Sequence, residues 1–390
     1  FVVHSLLKDR QYNSWDDLHN AISAFTTEDL DPSDTRYDEV SGRSAKFRGD
    51  IFEQFSYFYF LYHKDLYNIE EIWCDKVSGR KIPASFSDPN GRYKIGGAGK
   101  SSKDYGTDLV AKMNGREEPH LAIQAKFSSD PGHHPSYREL ATFWRDAELF
   151  EERRIITSSM KLSGEDMQKP GPHIYRSDLL GIQNPSDFFT QLHDWANETI
   201  DAPTRKQYDP RPHQQEMIDD VVSGFENESR GKLLAACGTG KTLTALWIAE
   251  HQDMYVSSLL FLAPTIELTS QTFKNWAMQQ REPFEYLIVC SDDDAAGDTD
   301  EFADIHVSDS GVSVTTDQGD IAKFLDLETD LRKYIFSTYQ SSGRIAEAMK
   351  MSEFDNFDLI IFDEAHRTSA KGASGTEMMQ IALHDAHILD

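Results

Sequence analysis

Cysteine, long hydrophobic runs and basic residues are all scarce in this chain of 390 residues. The three cysteines, Cys74, Cys237 and Cys290, show neither metal-site nor disulfide spacing, which favours a reducing, cytoplasmic environment. No apolar run is long enough to span a membrane. The first residue is Phe, so the natural start is not visible, and residues 1–7 are too few and too mixed to be interpreted as a signal peptide. These absences argue against a secreted disulfide scaffold and against a membrane protein.

The charge balance is strongly acidic, with 66 acidic against 39 basic side chains and a formal net charge of −27. Nucleic-acid-binding proteins usually carry a basic surface, so this balance argues against that class. However, binding depends on the local charge of a cleft. Much of the excess is local, because residues 291–330 hold 13 acids and one lysine. We expect a solvated insertion there that faces away from nucleic acid.

Composition and length predict a globular protein with two domains or slightly more, at 39% hydrophobic and 27% charged residues. Prolines and charges cluster before residue 213, and we interpret this stretch as a linker. The predicted first domain covers residues 1–197, with a short helical extension before a core at about 44–185. A linker is predicted over residues 198–212, and a second domain over residues 205–390.

The most informative stretch is Ala-Ala-Cys-Gly-Thr-Gly-Lys-Thr over residues 235–242. Residues 232–234 are predicted to lead into it as a short buried strand, and residues 243–250 to follow it as a helix. A strand, a glycine loop ending in Gly-Lys-Thr and a helix form an arrangement that binds phosphate. The alternative is a chance glycine-rich turn before a helix, which a second motif downstream disfavours.

The residue types in this loop suit a nucleotide triphosphate. Gly238 and Gly240, on either side of Thr239, permit backbone angles that turn N–H groups inward, and the helix adds its positive dipole end. Lys241 can reach the β- and γ-phosphates of ATP, and the Thr242 hydroxyl can ligate Mg²⁺.

The second motif is an apolar run over residues 357–362 that ends in Asp363-Glu364-Ala365-His366. Such a run predicts a buried parallel strand with its acids at the carboxyl edge, where open α/β sheets bind ligands. Asp363 would hold the Mg²⁺ of the nucleotide, and Glu364 would polarise the attacking water. Alone, the motif would more simply be a strand followed by a solvated turn.

Together, the two motifs resemble the first RecA-like domain of superfamily 2 helicases and translocases of the DEAH-box kind, over residues 205 to 390. The resemblance implies an adenine-reading role for Gln214 in Arg-Pro-His-Gln, and a nucleotide-site role for His366. Ala263-Pro264-Thr265 and Ser337-Thr338-Tyr339-Gln340 are similar to motifs that contact the nucleic-acid backbone. A second RecA-like domain is expected beyond this chain.

A second chemical site is predicted in a hairpin over residues 108–113 and 121–126, with Asn114-Gly115 beginning the turn. A hairpin centred near residue 116 pairs positions that sum to 232, which places Asp108 opposite Gln124. Gln124 and Lys126 are two apart and leave the same face. Asp108 and the Gln124 oxygen are hard ligands for Mg²⁺, and Lys126 could neutralise developing charge. An ordinary hairpin with a polar wet face is the alternative.

Gly-Thr-Asp108 followed by Gln124-Ala-Lys126, after an aromatic helix over 44–63 that bears Glu53, is similar to the Mrr-like branch of PD-(D/E)xK nucleases. The resemblance covers about residues 44–185 and implies that Glu53 joins Asp108 and Gln124 at the metal. By itself, Glu53 would more simply be a surface acid of the helix.

The two resemblances imply an α/β protein: a restriction-endonuclease-like α/β core followed by a RecA-like P-loop domain with a parallel sheet flanked by helices. This order is similar to the N-terminal part of type ISP restriction-modification enzymes, which carry methyltransferase and target-recognition domains downstream. The expected function is ATP-driven movement on double-stranded DNA with Mg²⁺-dependent cutting. The alternatives are a DNA-repair helicase-nuclease, and a DNA-binding ATPase or remodeller with an inactive nuclease-like domain.

Overall fold

The computed structural model describes residues 5–26, 43–82, 106–117, 120–148, 150–163, 173–236, 238–290, 314–364 and 387–389. The chain forms two compact units, unit 1 (Phe1–Arg205) and unit 2 (Lys206–Asp390). Their boundary lies inside the stretch that the sequence predicts as a linker. Among the described residues, no helix is both long and apolar enough to cross a membrane.

Unit 1 is an α/β structure in which one four-stranded sheet packs against helices. Its described helices are α1 (Ser5–Asp9), α2 (Trp15–Ala24), α3 (Arg43–Tyr62), α4 (Tyr137–Asp146), α5 (Arg176–Leu180) and α6 (Pro185–Ala196). Its described strands are β1 (Ile69–Cys74), β2 (Leu109–Met113), β3 (Leu121–Lys126) and β4 (Glu152–Thr157). The sheet order is β1-β2-β3-β4, antiparallel in its first two pairings and parallel in the third.

The predicted hairpin register is confirmed. Leu109 pairs with Ile123 and Ala111 with Leu121, so paired positions sum to 232. This register continues beyond β2 to bring Asp108 opposite Gln124, and the Asp108 N–H donates to the Ile123 carbonyl at 3.0 Å. The two predicted site residues therefore meet at the same end of the hairpin.

The core of unit 1 is built on the aromatic face of α3. Phe47, Ile51, Phe55 and Phe58 are fully buried, as their helical spacing predicts. The Trp15 ring of α2 lies 4.9 Å from that of Phe55, so α2 packs onto the same core. Burying side chains of this size stabilises the fold by roughly 1.5–3 kcal/mol each. Helix α3 packs on β1 and β3, which brings it beside the hairpin end.

Unit 2 is a parallel sheet flanked by helices. Its described helices are α7 (Pro212–Phe225), α8 (Lys241–Ala249), α9 (Ile266–Gln279), α10 (Gln318–Leu325) and α11 (Ser342–Met349). Its described strands are β5 (Arg230–Gly231), β6 (Ser258–Ala263), β7 (Phe284–Val289), β8 (Val314–Thr315), β9 (Arg332–Thr338), β10 (Leu359–Phe362) and β11 (His387–Leu389). They run in the order β5-β11-β10-β6-β9-β7-β8, and every pairing is parallel.

Two sequence predictions in unit 2 are wrong. Residues 314–330 are not a solvated insertion, because β8 joins the sheet and Ile321, Ala322 and Leu325 of α10 are buried in the core; residues 291–313 lie outside the described residues.

The second wrong prediction is a short buried strand over residues 232–234. The strand before the phosphate loop is Arg230–Gly231 rather than 232–234, and Leu234 is 90% exposed instead of buried. The physical reason is its position at the sheet edge, where β5 pairs, among the described strands, with the short strand β11 alone. By contrast, all six residues of the central strand β6 are buried, as expected for a strand covered on both faces.

Candidate functional site

The phosphate loop has the backbone geometry that its glycines predict. Gly238 and Gly240 have φ values of 82° and 84°, in the left-handed region that glycine adopts at low cost. Gly240 caps α8, and the Thr239 hydroxyl donates to the Ala236 carbonyl at 2.8 Å. A β-carbon on Gly240 would lie 2.5 Å from the Gln214 amide nitrogen. A larger side chain at this position would therefore strain the backbone and also collide with Gln214.

Lys241 and Thr242 form the first turn of α8, so they stand at the positive end of the helix dipole. The Trp276 indole of α9 donates to the Thr242 carbonyl at 2.7 Å and fixes the start of α8 against its neighbour. Trp276 is fully buried, and local sequence patterns do not distinguish such a support of the loop from an ordinary core residue.

Gln214, predicted to read adenine, lies against the phosphate loop. Its amide nitrogen donates to the Gly240 carbonyl at 3.4 Å, and its amide oxygen accepts from the Arg211 N–H at 3.0 Å. The neighbouring His213 ring nitrogen lies 3.3 Å from the Thr239 carbonyl. The start of α7 is therefore joined to the loop by two adjacent side chains, and His213 is a contact that the motif alone does not reveal.

The predicted acidic strand end meets the phosphate loop. Asp363 follows β10, and its N–H donates to the Leu262 carbonyl of β6 at 2.8 Å. Glu364 has a φ of 54°, and its carboxylate lies 3.7 Å from the Lys241 ammonium. Burial raises the pKa of Asp363 above its ordinary value, the Glu364 charge raises it further, and Lys241 opposes both effects. The structure thus places one lysine and two carboxylates together; His366 lies outside the described residues.

This grouping suits Mg²⁺ and a triphosphate. Carboxylate and hydroxyl oxygens, here those of Asp363 and Thr242, are ligands that Mg²⁺ accepts. A cation beside Asp363 would also offset the burial of this carboxylate and the neighbouring Glu364 charge, which together raise its pKa. The lysine and the helix start favour the phosphates themselves.

The two motifs expected to contact nucleic acid lie on neighbouring strand ends. Thr265 caps α9 and its hydroxyl accepts from the Leu268 N–H at 3.3 Å. Ser337 and Thr338 are buried at the end of β9, and the Tyr339 N–H donates to the Ala263 carbonyl at 2.9 Å. The Ser337 hydroxyl donates to the Val289 carbonyl at 2.8 Å and the Thr338 hydroxyl accepts from the Ser341 N–H at 3.3 Å, so both buried hydroxyls have structural bonds.

In unit 1, three predicted site residues come together at the hairpin end. An Asp108 carboxylate oxygen accepts from the Ala125 N–H at 2.7 Å. Gln124 is 3% exposed, and its side-chain oxygen is buried without a hydrogen-bond partner among the described residues. A buried acceptor of this kind is costly unless a ligand satisfies it, and a hard cation could do so. Lys126 lies half-buried two residues further along β3.

Glu53 lies near the same end, on the helix that packs on β1 and β3. Burial raises the pKa of the Cys74 thiol well above its ordinary value, and the charges of Glu53 and Asp108 raise it further. Both carboxylates therefore lie around one buried side chain. Among the described residues, no three His, Cys, Asp or Glu side chains are arranged to hold a metal ion, so a metal here would need the Gln124 oxygen.

A parallel sheet that brings a phosphate loop and an acidic strand end together at its carboxyl edge is characteristic of the RecA-like domains of helicases. Residues 207–389 match the family described as "Type III restriction enzyme, res subunit". This match supports a helicase-type domain in this part of the chain.

Known proteins similar to this chain are helicases and restriction enzymes. A probable helicase of African swine fever virus, A859L, is 28% identical over 164 residues, which are 42% of this chain and 17% of the viral protein. The ATP-dependent Type ISP restriction-modification enzyme LlaBIII, solved bound to DNA, matches with a TM-score of 0.61 and 25% identity. A nuclease-deletion mutant of the Type ISP enzyme LlaGI, solved with a DNA substrate mimic, is 34% identical over 41% of this chain and 15% of that chain, with a TM-score of 0.33.

The LlaBIII match covers 88% of this chain and 21% of that enzyme. Since unit 2 contains only residues 206–390, a match of this extent includes much of unit 1 as well. The chain spans about a fifth of the length of the proteins that it matches.

Proposed function

We propose that this chain is the nuclease and motor part of a type ISP restriction-modification enzyme, which hydrolyses ATP to move along duplex DNA and cuts it with a Mg²⁺-dependent endonuclease. The main observation in support of the motor is that the Lys241 ammonium lies 3.7 Å from the Glu364 carboxylate, beside Asp363. The extension of the LlaBIII match into unit 1 supports the fused nuclease.

In the motor, the triphosphate would lie on the loop N–H groups and the start of α8, with Lys241 neutralising the β- and γ-phosphates. Thr242 and Asp363 would hold Mg²⁺, which supplies charge neutralisation on the phosphates when bound. Glu364 would orient and polarise the water that attacks the γ-phosphorus, with the bond to the ADP oxygen breaking in line. Gln214 remains our candidate for reading adenine, and its bond to Gly240 would join base recognition to the loop.

In the nuclease, Asp108, Glu53 and the Gln124 oxygen would hold Mg²⁺, which supplies an activated water and stabilises charge on the phosphodiester when bound. Lys126 would place its ammonium beside the phosphate and offset the negative charge that develops as water adds. The Gln124 oxygen has no hydrogen-bond partner among the described residues, and this observation supports a ligand at this end of the hairpin.

The proposed substrate is double-stranded DNA, and the proposed setting is cytoplasmic. The DNA in the LlaBIII structure supports this substrate. We also propose that a second RecA-like domain, a methyltransferase and a target-recognition domain accompany this chain in the full-length protein, because the chain spans 21% of that enzyme.

The nuclease proposal predicts that Asp108→Ala and Lys126→Ala each lower DNA cutting by the full-length protein by on the order of 100-fold or more, with ATP hydrolysis retained. The matched control is Lys112→Ala on the same hairpin, where the lysine pairs with Glu70 at 2.9 Å. Losing a surface pair costs about 0–1 kcal/mol, so this variant should cut normally.

Cutting at the wild-type rate by both site variants would rule out the hairpin site and favour an inactive nuclease-like domain. Loss of ATP hydrolysis together with loss of folding would instead assign Asp108 and Lys126 a structural role.

A further inference from the structure

The Tyr339 side chain crosses the carboxyl edge of the sheet in unit 2. Tyr339 follows β9, and its N–H is bonded to Ala263 at the end of β6. Its hydroxyl donates to the Asp363 carbonyl at 2.5 Å, at the end of β10. Because β6 lies between β9 and β10, this one residue is tied to the ends of both neighbouring strands.

The accepting carbonyl has a particular place in the backbone. It belongs to the peptide unit that joins Asp363 to Glu364, so the orientation of that unit helps to set the φ of Glu364. That φ is 54°, in the left-handed region that side chains other than glycine rarely adopt. Such a conformation persists only where surrounding contacts hold it. The Tyr339 hydroxyl is a contact placed to do so.

The Tyr339 ring adds a second constraint. It stacks on the ring of Phe362, with centroids 6.2 Å apart and planes inclined by 18°. Phe362 is the last residue of β10, directly before Asp363. The ring therefore holds the strand end, while the hydroxyl holds the peptide that follows it.

We propose that Tyr339 is a positioning residue for ATP hydrolysis, which acts by holding the Asp363–Glu364 peptide so that the Glu364 carboxylate faces Lys241 and the attacking water. This inference rests on the proposed ATPase function. Glu364 is the catalytic residue, and Tyr339 acts through it. The role differs from contact with nucleic acid, which is what the motif around Tyr339 suggests from its sequence.

The test is Tyr339→Phe in the full-length protein, which keeps the ring on Phe362 and removes only the hydroxyl. A misplaced catalytic group can cost about 100-fold in rate, so we expect kcat for DNA-stimulated ATP hydrolysis to fall by roughly 10- to 100-fold. ATP affinity and the KM for ATP should stay within about twofold, because the loop and Lys241 are unchanged.

The matched control is Tyr334→Phe, which removes a hydroxyl from a buried tyrosine nearer the start of the same strand β9. We expect this variant to retain the wild-type kcat. A similar fall in kcat for both variants would overturn the proposal, because it would show a general effect of loosening β9.

The decisive measurement is a double-mutant cycle with Glu364→Gln, read as single-turnover ATP hydrolysis. If Tyr339 acts through Glu364, Tyr339→Phe should change the rate by less than about twofold in the Glu364→Gln background, because residues that act as a unit are not additive. An equal fold-loss in both backgrounds would overturn the proposal.

Failure of the proposed function gives a different pattern. A full-length wild-type protein without ATP hydrolysis in the presence of DNA would refute the motor itself. Wild-type hydrolysis that Tyr339→Phe leaves unchanged would refute only the role of Tyr339.

Discussion

His173 is a histidine of unit 1 that the fold keeps neutral. It is 3% exposed, its Nδ1 accepts from the Ile155 N–H at 3.3 Å, and burial together with the nearby Arg154 charge lowers its pKa to about 4. An unfolded chain would protonate the same ring near its ordinary value of 6.5. Between these two values the unfolded state binds more protons, so stability falls as the pH drops through this window.

We therefore expect acidification from pH 7.5 to 5.0 to lower the free energy of unfolding of unit 1 by about 2 kcal/mol through His173. His173→Asn keeps an acceptor for Ile155 and removes the ionisation, so this part of the pH dependence should disappear. Urea unfolding at the two pH values measures the difference. The same slope in the variant and the wild type would show that His173 is not the group responsible.

A substitution at Gly240 tests the geometry of the phosphate loop. Gly240→Ala must adopt a φ of 84° with its β-carbon 2.5 Å from Gln214, and we expect ATP affinity and thermal stability both to fall. The left-handed conformation alone costs about 1–2 kcal/mol. The control is Gly224→Ala in α7, whose β-carbon meets nothing within 4 Å and should be neutral or stabilising. Normal ATP binding by Gly240→Ala would contradict the loop geometry.

At the scale of the elements, the sequence predicted best where one periodicity dominates. The buried face of α3 follows from helical spacing, and the hairpin register follows from the position of the turn that begins at Asn114. Alternation does not predict strand β1, because Ile69–Cys74 places two consecutive glutamates among its apolar residues. Helix α4 ends at Asp146, because the chain must turn before β4 begins at Glu152.

The candidate sites also contain some features that local sequence patterns predict and others that they do not. Lys241, Asp363 and Glu364 were predictable because phosphate chemistry requires those residue types beside glycines and a strand end. The Gln214–Gly240 bond and the Tyr339–Asp363 bond were not, since each joins side chains and backbone that are far apart in sequence. Such contacts depend on strand order, and local patterns do not encode strand order.

The stretch between the units gives a prediction about cleavage. The Arg205 side chain is 11% exposed, lies over the Tyr62 ring and pairs with Asp65 at 3.4 Å, all within unit 1. Lys206 is exposed, and its carbonyl accepts from Gln279 of unit 2 at 3.3 Å. Trypsin needs an accessible basic side chain, so we expect the first cut after Lys206 rather than after Arg205.

Mass spectrometry of an early limited digest would locate this cut, and two compact pieces should result. A first cut between residues 44 and 185 would contradict the proposed domain boundary.

For the whole molecule, we propose that the nucleotide site in unit 2 is one half of a site that a second RecA-like domain completes. In the enzymes that this chain resembles, a second RecA-like domain supplies arginines to the transferred phosphate, and an arginine finger is worth roughly 10³–10⁵ in rate. Residues 1–390 should therefore bind ATP with Mg²⁺ in calorimetry but show no DNA-stimulated turnover. Lys241→Ala should remove the remaining affinity and leave the fold intact. Robust DNA-stimulated turnover by residues 1–390 would contradict the half-site.

We propose that ATP hydrolysis in unit 2 drives DNA cutting by unit 1. The test is to measure how the full-length protein cleaves DNA that carries the target sites, with ATP and with a non-hydrolysable analogue. Cutting should require hydrolysable ATP, and Lys241→Ala should abolish both hydrolysis and cutting, whereas Asp108→Ala should abolish cutting alone. Cutting at the wild-type rate with the analogue, or by Lys241→Ala, would contradict the account.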